Sequence, residues 1–123
     1  MIRFENLKKA QQVFELFRQD MITDRDKAGA IQAFEFCYEL SWKAMKKALD
    51  SLGQESASPK DTFRKAAKEK IIQDPETWFI FQAKRNLVSH TYRQENIASI
   101  LEIFDLFSNE LIALLKKLEE LEL

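Results

Sequence analysis

The sequence predicts an all-α protein, an antiparallel four-helix up-and-down bundle with one extra short helix. Apolar residues recur at three- and four-residue spacing through most of the chain, as in helices with one buried face. The 123 residues include only two Gly and two Pro, so few turns interrupt the helices. No segment alternates apolar and polar residues as a strand does. We therefore expect one domain spanning residues 1–123.

The first two helices follow from their apolar stripes. Helix one is predicted from about Arg3 to Asp20, and its stripe consists of Leu7, Ala10, Phe14, Phe17 and Met21. Thr23 and Asp24 offer N-cap acceptors for a long second helix that ends near Gly53. The stripe of this helix consists of Ile31, Phe34, Tyr38, Trp42, Met45 and Leu49.

The next two helices begin at similar signals. Ser58-Pro59-Lys60-Asp61 is a strong helix start, because Ser caps the helix and Pro suits its first turn. This short helix three is predicted to end near Lys70. Asp74-Pro75-Glu76 repeats the signal and opens a fourth helix that we expect to reach about His90. Its residues 78–81 are apolar all round, which predicts a central place in the core.

The last helix gives the strongest structural signal. It is predicted from about Glu95 to Leu121 as one uninterrupted helix. Its apolar residues occupy heptad a and d positions throughout, at Ile97, Ile100, Phe104, Phe107, Leu111, Leu114, Leu118 and Leu121. The core of a bundle explains this spacing without a coiled-coil partner.

Helix two carries two further features outside its main stripe. Phe36 and Leu40 add a second apolar face, so we expect burial on two sides, either centrally or at a subunit interface. Glu35, Glu39 and Lys43 stand four residues apart on one face. A catalytic carboxylate pair is one interpretation, and an ion pair between Glu39 and Lys43 is the other.

Composition limits the chemistry that the chain can support. The net charge of −1 gives no sign of a nucleic-acid or membrane surface, so such a partner needs a local basic patch. A single Cys37 and a single His90 provide neither an intrachain disulfide nor a set of zinc ligands. We expect no metal and no cofactor. With one cysteine, a cytoplasmic location is the default expectation. No apolar run approaches the ~20 residues that span a bilayer, so we expect no membrane partner.

The residues best suited to chemistry lie between Arg85 and Tyr92, in the sequence R-N-L-V-S-H-T-Y. His90 has the residue type of a general acid or base near neutral pH. Arg85 can bind a phosphate through two N–H groups and stabilise charge that develops during phosphoryl transfer, and Asn86 adds an amide. Cleavage of RNA by its own 2′-hydroxyl requires groups of this kind.

Helical geometry constrains how these groups can cooperate. On an uninterrupted helix Arg85, Ser89 and Tyr92 share a face, whereas Arg85 and His90 lie about 140° apart. The two are better aimed if the helix ends near His90, or if two copies of the chain pool their residues across a two-fold axis. Alternatively, His90 is a helix cap or surface residue and Arg85 pairs with a carboxylate.

The order of arginine, four residues, histidine, one residue and tyrosine resembles the signature of HEPN-superfamily ribonucleases, which include the HepT type of toxin. The segments I-Q-A-F-E-F-C-Y-E-L-S-W-K (31–43) and S-P-K-D-T-F-R-K-A (58–66) resemble the family of nucleotidyltransferase substrate-binding subunits. The resemblance as a whole extends over most of the chain, from roughly Asp24 to Leu121.

This resemblance implies a homodimeric helical bundle encoded beside a minimal nucleotidyltransferase, with Arg85 and His90 at a cleft between the subunits. In HepT-type pairs the partner enzyme AMPylates a tyrosine, and Tyr92 is the matching acceptor here. Adding AMP would bring negative charge beside Arg85 and obstruct the cleft.

Two functions remain open within the family. In the first, the dimer is a metal-independent endoribonuclease acting on RNA: His90 is acid or base, Arg85 stabilises the transition state, Asn86 positions the phosphate and Tyr92 receives inhibitory AMP. In the second, the chain is a non-catalytic substrate-binding subunit of the nucleotidyltransferase. A purely structural helical adaptor is a third interpretation.

RNA binding requires a positive surface near the motif. Helix three supplies one if the bundle brings it beside the motif, and the cations concerned are Lys60, Arg64, Lys65, Lys68, Lys84, Arg85 and Arg93. The alternative is an ordinary solvated charged face.

Overall fold

The computed structural model describes residues 4–121 and confirms the all-α fold. No strand occurs in this range, and the chain forms six helices: α1 (Glu5–Arg18), α2 (Asp24–Ser51), α3 (Pro59–Lys68), α4 (Pro75–Asn86), α5 (Gln94–Leu101) and α6 (Phe104–Glu120). A short 3₁₀ turn, Val88–His90, lies between α4 and α5. None of the helices within 4–121 is long and apolar enough to cross a membrane.

The predicted N-caps of α2 and α3 are confirmed. Thr23 accepts a hydrogen bond from the Asp26 backbone N–H, and the Asp26 side chain accepts one from the Thr23 N–H, each at 3.0 Å. This reciprocal capping box satisfies two donors that the first turn leaves without helical partners. Ser58 caps α3 by accepting from the Asp61 N–H, with Pro59 in the first turn.

Left-handed backbone residues follow the ends of α2 and α3. Gly53 has φ +79° just beyond α2, as expected of a glycine that terminates a helix. Lys70 has φ +61°, and α3 ends at Lys68. The connection to α4 is short and consists of residues 69–74. The Asp74 carboxylate caps α4 by accepting from the Glu76 N–H at 2.9 Å.

An aromatic cluster joins the helices at the centre of the core. Phe107 of α6 packs edge-to-face against Phe34 of α2 and Phe81 of α4, with ring centroids 4.8 and 5.0 Å apart. Phe14 of α1 meets the same ring at 5.4 Å. Trp78 of α4 completes the cluster at 6.0 Å. These rings fix where α4 ends relative to α2, which is what positions the motif.

Two predicted helices are shorter than expected. The helix predicted for 95–121 is interrupted at residues 102–103, and α4 ends at Asn86 rather than His90. No Gly or Pro lies at either break to indicate the end of a helix. At the first break Ile103 and Phe104 are both buried, so core packing replaces the continuous heptad stripe. At the second, a 3₁₀ turn takes over.

One prediction of burial is wrong, and for the second apolar face of α2 the structure excludes central burial, so that burial at a subunit interface stays a prediction. The segment 78–81 is not buried all round, because Ile80 is 45% exposed while Trp78 and Phe81 are fully buried. Phe36 on α2 is 56% exposed, although the main stripe of that helix lies in the core. Phe36 and Ile80 therefore leave apolar surface open on α2 and α4.

Candidate active site

The motif lies where α4 gives way to the 3₁₀ turn. The His90 N–H donates to the Leu87 carbonyl at 2.9 Å, and the Thr91 hydroxyl donates to the Val88 carbonyl at 3.2 Å. Asn96 of α5 donates through Nδ2 to the His90 carbonyl at 2.9 Å. These bonds satisfy the backbone of the turn and hold it against α5. His90 consequently sits at a defined place on the surface.

His90, Tyr92 and Arg93 form a cluster on the outside of this turn. The rings of His90 and Tyr92 meet edge-to-face with centroids 5.9 Å apart. The Arg93 guanidinium lies 5.8 Å from the centre of the Tyr92 ring. His90 is exposed and Tyr92 is 74% exposed, so both can be reached by a partner or substrate.

Arg85 contacts α2 and remains partly exposed to solvent. Its Nη2 lies 3.0 Å from Glu39 Oε1, and its Nε lies 3.8 Å from Glu35 Oε2. The other oxygen of Glu39 accepts a hydrogen bond from Trp42 Nε1 at 3.2 Å. Glu39 thus joins Arg85 to Trp42, and this contact replaces the predicted ion pair with Lys43.

Tyr38 precedes Glu39 on α2 and is buried in the core. Its side chain is 2% exposed, and no hydrogen-bond partner for its hydroxyl occurs in the part of the chain that the structure describes. Burial raises the pKa of Tyr38, and the Glu39 carboxylate adds to the effect while Arg85 opposes it. The phenol is therefore neutral at physiological pH and serves the core.

The motif residues form two groups within one chain. Arg85 belongs to the α2 face, and His90 with Tyr92 belongs to the turn; within residues 4–121, no hydrogen bond or ion pair joins the side chains of Arg85 and His90. Because α4 ends at Asn86, the helical face predicted to hold both Arg85 and Tyr92 does not exist. Asn86 is exposed at the last residue of α4.

A groove of about 400 Å³ runs between α2 and the turn, and no sequence pattern predicted it. Glu35 lies on its α2 wall, and Val88 and Thr91 lie on the opposite side. The other lining residues are Asp24, Lys27, Ala28, Ile31, Gln32 and Ile97. The groove forms because the chain turns back along α2 after Asn86. It therefore depends on contacts between residues that are far apart in sequence.

The predicted basic surface is divided rather than continuous. Lys84 donates to the Ser99 hydroxyl and lies 3.6 Å from Glu102, so it faces α5. Lys65 contacts Asp61 at 3.2 Å. Lys60 and Arg64 instead face Phe79 of α4.

Comparison with known proteins identifies the family. The sequence profile of the nucleotidyltransferase substrate binding protein-like family matches residues 2–120. The chain belongs to this family. The membership expected from the motif and from the segments of helices two and three is thereby confirmed, and the family name associates its members with nucleotidyltransferases.

Two proteins that are similar to this chain carry different descriptions, one of a ribonuclease and one of a substrate binding domain. A Haemophilus influenzae protein named "Probable ribonuclease HepT" is 39% identical over 98 residues, covering 76% of this chain and 67% of the relative. A solved H. influenzae structure, described as the fold of a substrate binding domain of a nucleotidyltransferase, is 32% identical, with a TM-score of 0.83 over 95% of this chain and 99% of the other. A Thermus thermophilus structure is 25% identical, with a TM-score of 0.85 over 91% and 98% of the two chains.

Proposed function

We propose that the chain is the partner of a minimal nucleotidyltransferase in a two-component, toxin-antitoxin-like system, and that it is a homodimeric, metal-independent HEPN-type endoribonuclease regulated by AMPylation. The observation that carries this proposal is the exposed turn that presents His90 and Tyr92 directly after Asn86 and Arg85. The relative named for ribonuclease activity supports it. Because RNA and ATP are abundant in the cytoplasm, the proposal places the pair there.

The reaction that suits these side chains is transesterification of RNA. A neutral His90 takes the proton of a 2′-hydroxyl, whose oxygen attacks the adjacent phosphorus. The bond from phosphorus to the 5′-oxygen breaks, and a protonated histidine gives that oxygen its proton, leaving a 2′,3′-cyclic phosphate and a 5′-hydroxyl. Arg85 stabilises the charge on the pentavalent transition state, and Asn86 orients the phosphate.

A second copy of the chain is part of this proposal for two reasons. One chain offers a single histidine, whereas the reaction uses an acid and a base. In one chain Arg85 and His90 also belong to separate groups, so a two-fold axis that pairs the Arg85 face with the partner's turn would unite them. Phe36 stands beside Glu35 on the α2 surface and is 56% exposed, which supports an interface there.

Regulation by AMPylation would act on Tyr92. Its hydroxyl would attack the α-phosphorus of ATP bound to the nucleotidyltransferase, forming a phosphodiester and releasing pyrophosphate. The exposure of Tyr92 supports access by a second enzyme. Because the rings of His90 and Tyr92 are 5.9 Å apart, the added phosphate would occupy the space beside the proposed acid or base.

The alternative function is a non-catalytic substrate-binding subunit of the nucleotidyltransferase. The position of Arg85 favours it, because Glu39 and Glu35 neutralise the guanidinium that a ribonuclease would use on phosphate. The description of the solved H. influenzae relative favours it as well. On this view, the groove between α2 and the turn is the binding surface.

RNA cleavage in EDTA separates the two functions. The measurement compares wild type with His90→Ala after intact-mass analysis has shown that the wild type carries no AMP. Tyr92→Phe is the matched control, because it keeps the ring beside His90 and removes only the acceptor hydroxyl. We expect wild type and Tyr92→Phe to cleave and His90→Ala to be inactive. Wild type and His90→Ala, which both keep the Tyr92 hydroxyl, should gain AMP from the nucleotidyltransferase, and Tyr92→Phe should not.

The opposite result is equally clear. If folded, unmodified wild type cleaves no RNA across varied sequences, the ribonuclease proposal is wrong, and the binding subunit becomes the better interpretation. If His90→Ala cleaves as well as wild type, the activity belongs to another site or to a contaminant.

A further inference from the structure

Phe79 of α4 carries two cations from α3 against its ring. The Arg64 guanidinium lies 5.2 Å from the ring centroid, and the Lys60 ammonium lies 5.8 Å from it. Lys60 and Arg64 stand four residues apart, so both project from one face of α3. Contact with an aromatic face restrains these long side chains without neutralising them.

Neither cation is paired with a carboxylate of the described residues. Within residues 4–121, no salt bridge involves Lys60 or Arg64, whereas Lys65 of the same helix contacts Asp61 at 3.2 Å. The Asp61 carboxylate also accepts the Ala57 N–H at 2.9 Å, and these bonds lower its pKa. A phosphate can therefore approach Lys60 and Arg64 without breaking an ion pair.

The cations concentrate on this helix although the chain as a whole is slightly acidic. Residues 59–68 contain four Lys and Arg but one Asp and no Glu, in a chain of net charge −1. Lys68 is exposed and continues the row of Lys60 and Arg64 at the same four-residue interval. The row advances by roughly 6 Å per cation along the helix axis. This interval is comparable with that between successive phosphates of an extended single strand.

Phe79 lies on the same helix as the start of the proposed catalytic segment. Asn86 follows Phe79 by seven residues, nearly two turns, so the two lie on one stripe of α4 about 10 Å apart along the axis. Ala83 lies between them on this stripe and is exposed, and its small side chain leaves that part of the stripe open. A strand held at Phe79 can continue along α4 to Asn86 and the turn that carries His90.

We propose that Lys60, Arg64 and Phe79 form a binding site for the phosphate backbone of single-stranded RNA, which holds the strand beside the catalytic segment. The inference rests on the proposed ribonuclease function for its choice of ligand. Binding there is independent of base sequence, because the site offers cations to phosphates and no fixed hydrogen-bonding groups to base edges. The site acts on affinity for long RNA and not on the bond-breaking step.

The test measures binding separately from cleavage. The probe is a 2′-O-methyl oligoribonucleotide, which lacks the nucleophile for cleavage, titrated against intact protein at several salt concentrations. Lys60→Gln/Arg64→Gln is compared with Lys9→Gln/Lys116→Gln, which removes two exposed lysines from α1 and α6. We expect the first variant to bind about tenfold more weakly than wild type, with a log–log salt slope smaller by about 1.4, and the second to bind within twofold.

Cleavage assays complete the experiment. For Lys60→Gln/Arg64→Gln, kcat/KM is expected to fall about tenfold on long RNA and to stay unchanged on a dinucleotide that cannot reach Phe79. Equal weakening in both double variants, or no weakening in either, overturns this RNA site while leaving the ribonuclease standing if wild type cleaves. Salt-dependent binding through α3 without any cleavage refutes the ribonuclease and keeps the site. Normal RNA binding with weakened binding to the nucleotidyltransferase would make the patch a protein interface and overturn the proposal.

Discussion

The two ends of α4 place arginines in opposite electrostatic surroundings. Near its C-terminal end, Arg85 lies 3.0 Å from Glu39 and is held by a carboxylate that Trp42 also contacts. Near its N-terminal end, Phe79 receives Arg64 of α3 with no carboxylate paired to it in the described chain. The first guanidinium is oriented by the carboxylates that pair with it, and the second is restrained by an aromatic ring without a paired carboxylate.

This difference separates two tasks that phosphate chemistry imposes. A catalytic guanidinium benefits from fixed orientation, because preorganised charge stabilises a transition state without reorganisation. A guanidinium that attracts RNA benefits from its uncompensated charge, because affinity for the backbone comes from counterion release. We infer that Arg85 suits the first task and Arg64 the second, and the following predictions test that division.

The largest expected effect concerns the core that supports both ends. Phe81 is fully buried and packs on Phe107, so Phe81→Ala is expected to lower the free energy of unfolding by about 3–5 kcal/mol. Phe79 is half-buried, so Phe79→Ala should cost only about 1–2 kcal/mol. Urea denaturation measures both. Equal losses would mean that the Phe79 ring belongs to the core rather than to a surface site.

The next largest effect separates the two arginines in catalysis. Arg85→Ala is expected to lower kcat by about 10²–10³-fold, the usual consequence of removing one group that stabilises transition-state charge. Arg64→Ala should leave kcat unchanged and raise KM for long RNA by less than about tenfold. Steady-state kinetics on one long RNA decides the matter. Similar changes in kcat for both variants would contradict the division of tasks.

A smaller effect tests whether Glu39 positions Arg85 or inhibits it. Glu39→Gln keeps the shape, but its single carbonyl oxygen replaces two carboxylate oxygens that accept from Trp42 and Arg85. The charge-assisted hydrogen bond to Arg85, about 1.5 kcal/mol, is therefore lost, so kcat should fall about tenfold with little change in KM. Glu35→Gln is the matched control, because Glu35 stands 3.8 Å from Arg85 Nε, and less than a twofold change is expected. Higher activity in Glu39→Gln would show that the carboxylate competes with phosphate.

The smallest effect provides a folding control for variants at both ends. Cys37 of α2 is fully buried, and burial raises the pKa of its thiol to about 12, with Glu15 adding to the effect. Since the folded chain holds this proton more tightly than the unfolded one, stability should fall as the pH rises from 9.0 toward about 12. Maleimide should label Cys37 at pH 8 only in urea; labelling of the native protein would contradict the burial.

The sequence was informative where local rules apply. Thr23, Ser58 and Asp74 were recognisable as caps because an N-cap needs only a side-chain acceptor within three residues of its donor. The apolar stripes identified many of the buried residues, because helical periodicity also depends only on residues a few positions apart. Burial of Ile80 was predicted wrongly, and central burial of Phe36 is excluded, because periodicity cannot tell which face of a helix finds a neighbour within the chain. The alternative that Phe36 lies at a subunit interface stays a prediction.

The sequence by itself therefore determined the helical fold, the caps and the family motif from Arg85 to Tyr92. Only the tertiary structure decided that α4 ends at Asn86, that Arg85 turns to Glu39, and that Arg64 rests on Phe79. The first set depends on hydrogen bonds and periodicities within a few residues of chain. The second set depends on contacts between residues far apart in sequence, which form only when the aromatic core fixes the helices relative to one another.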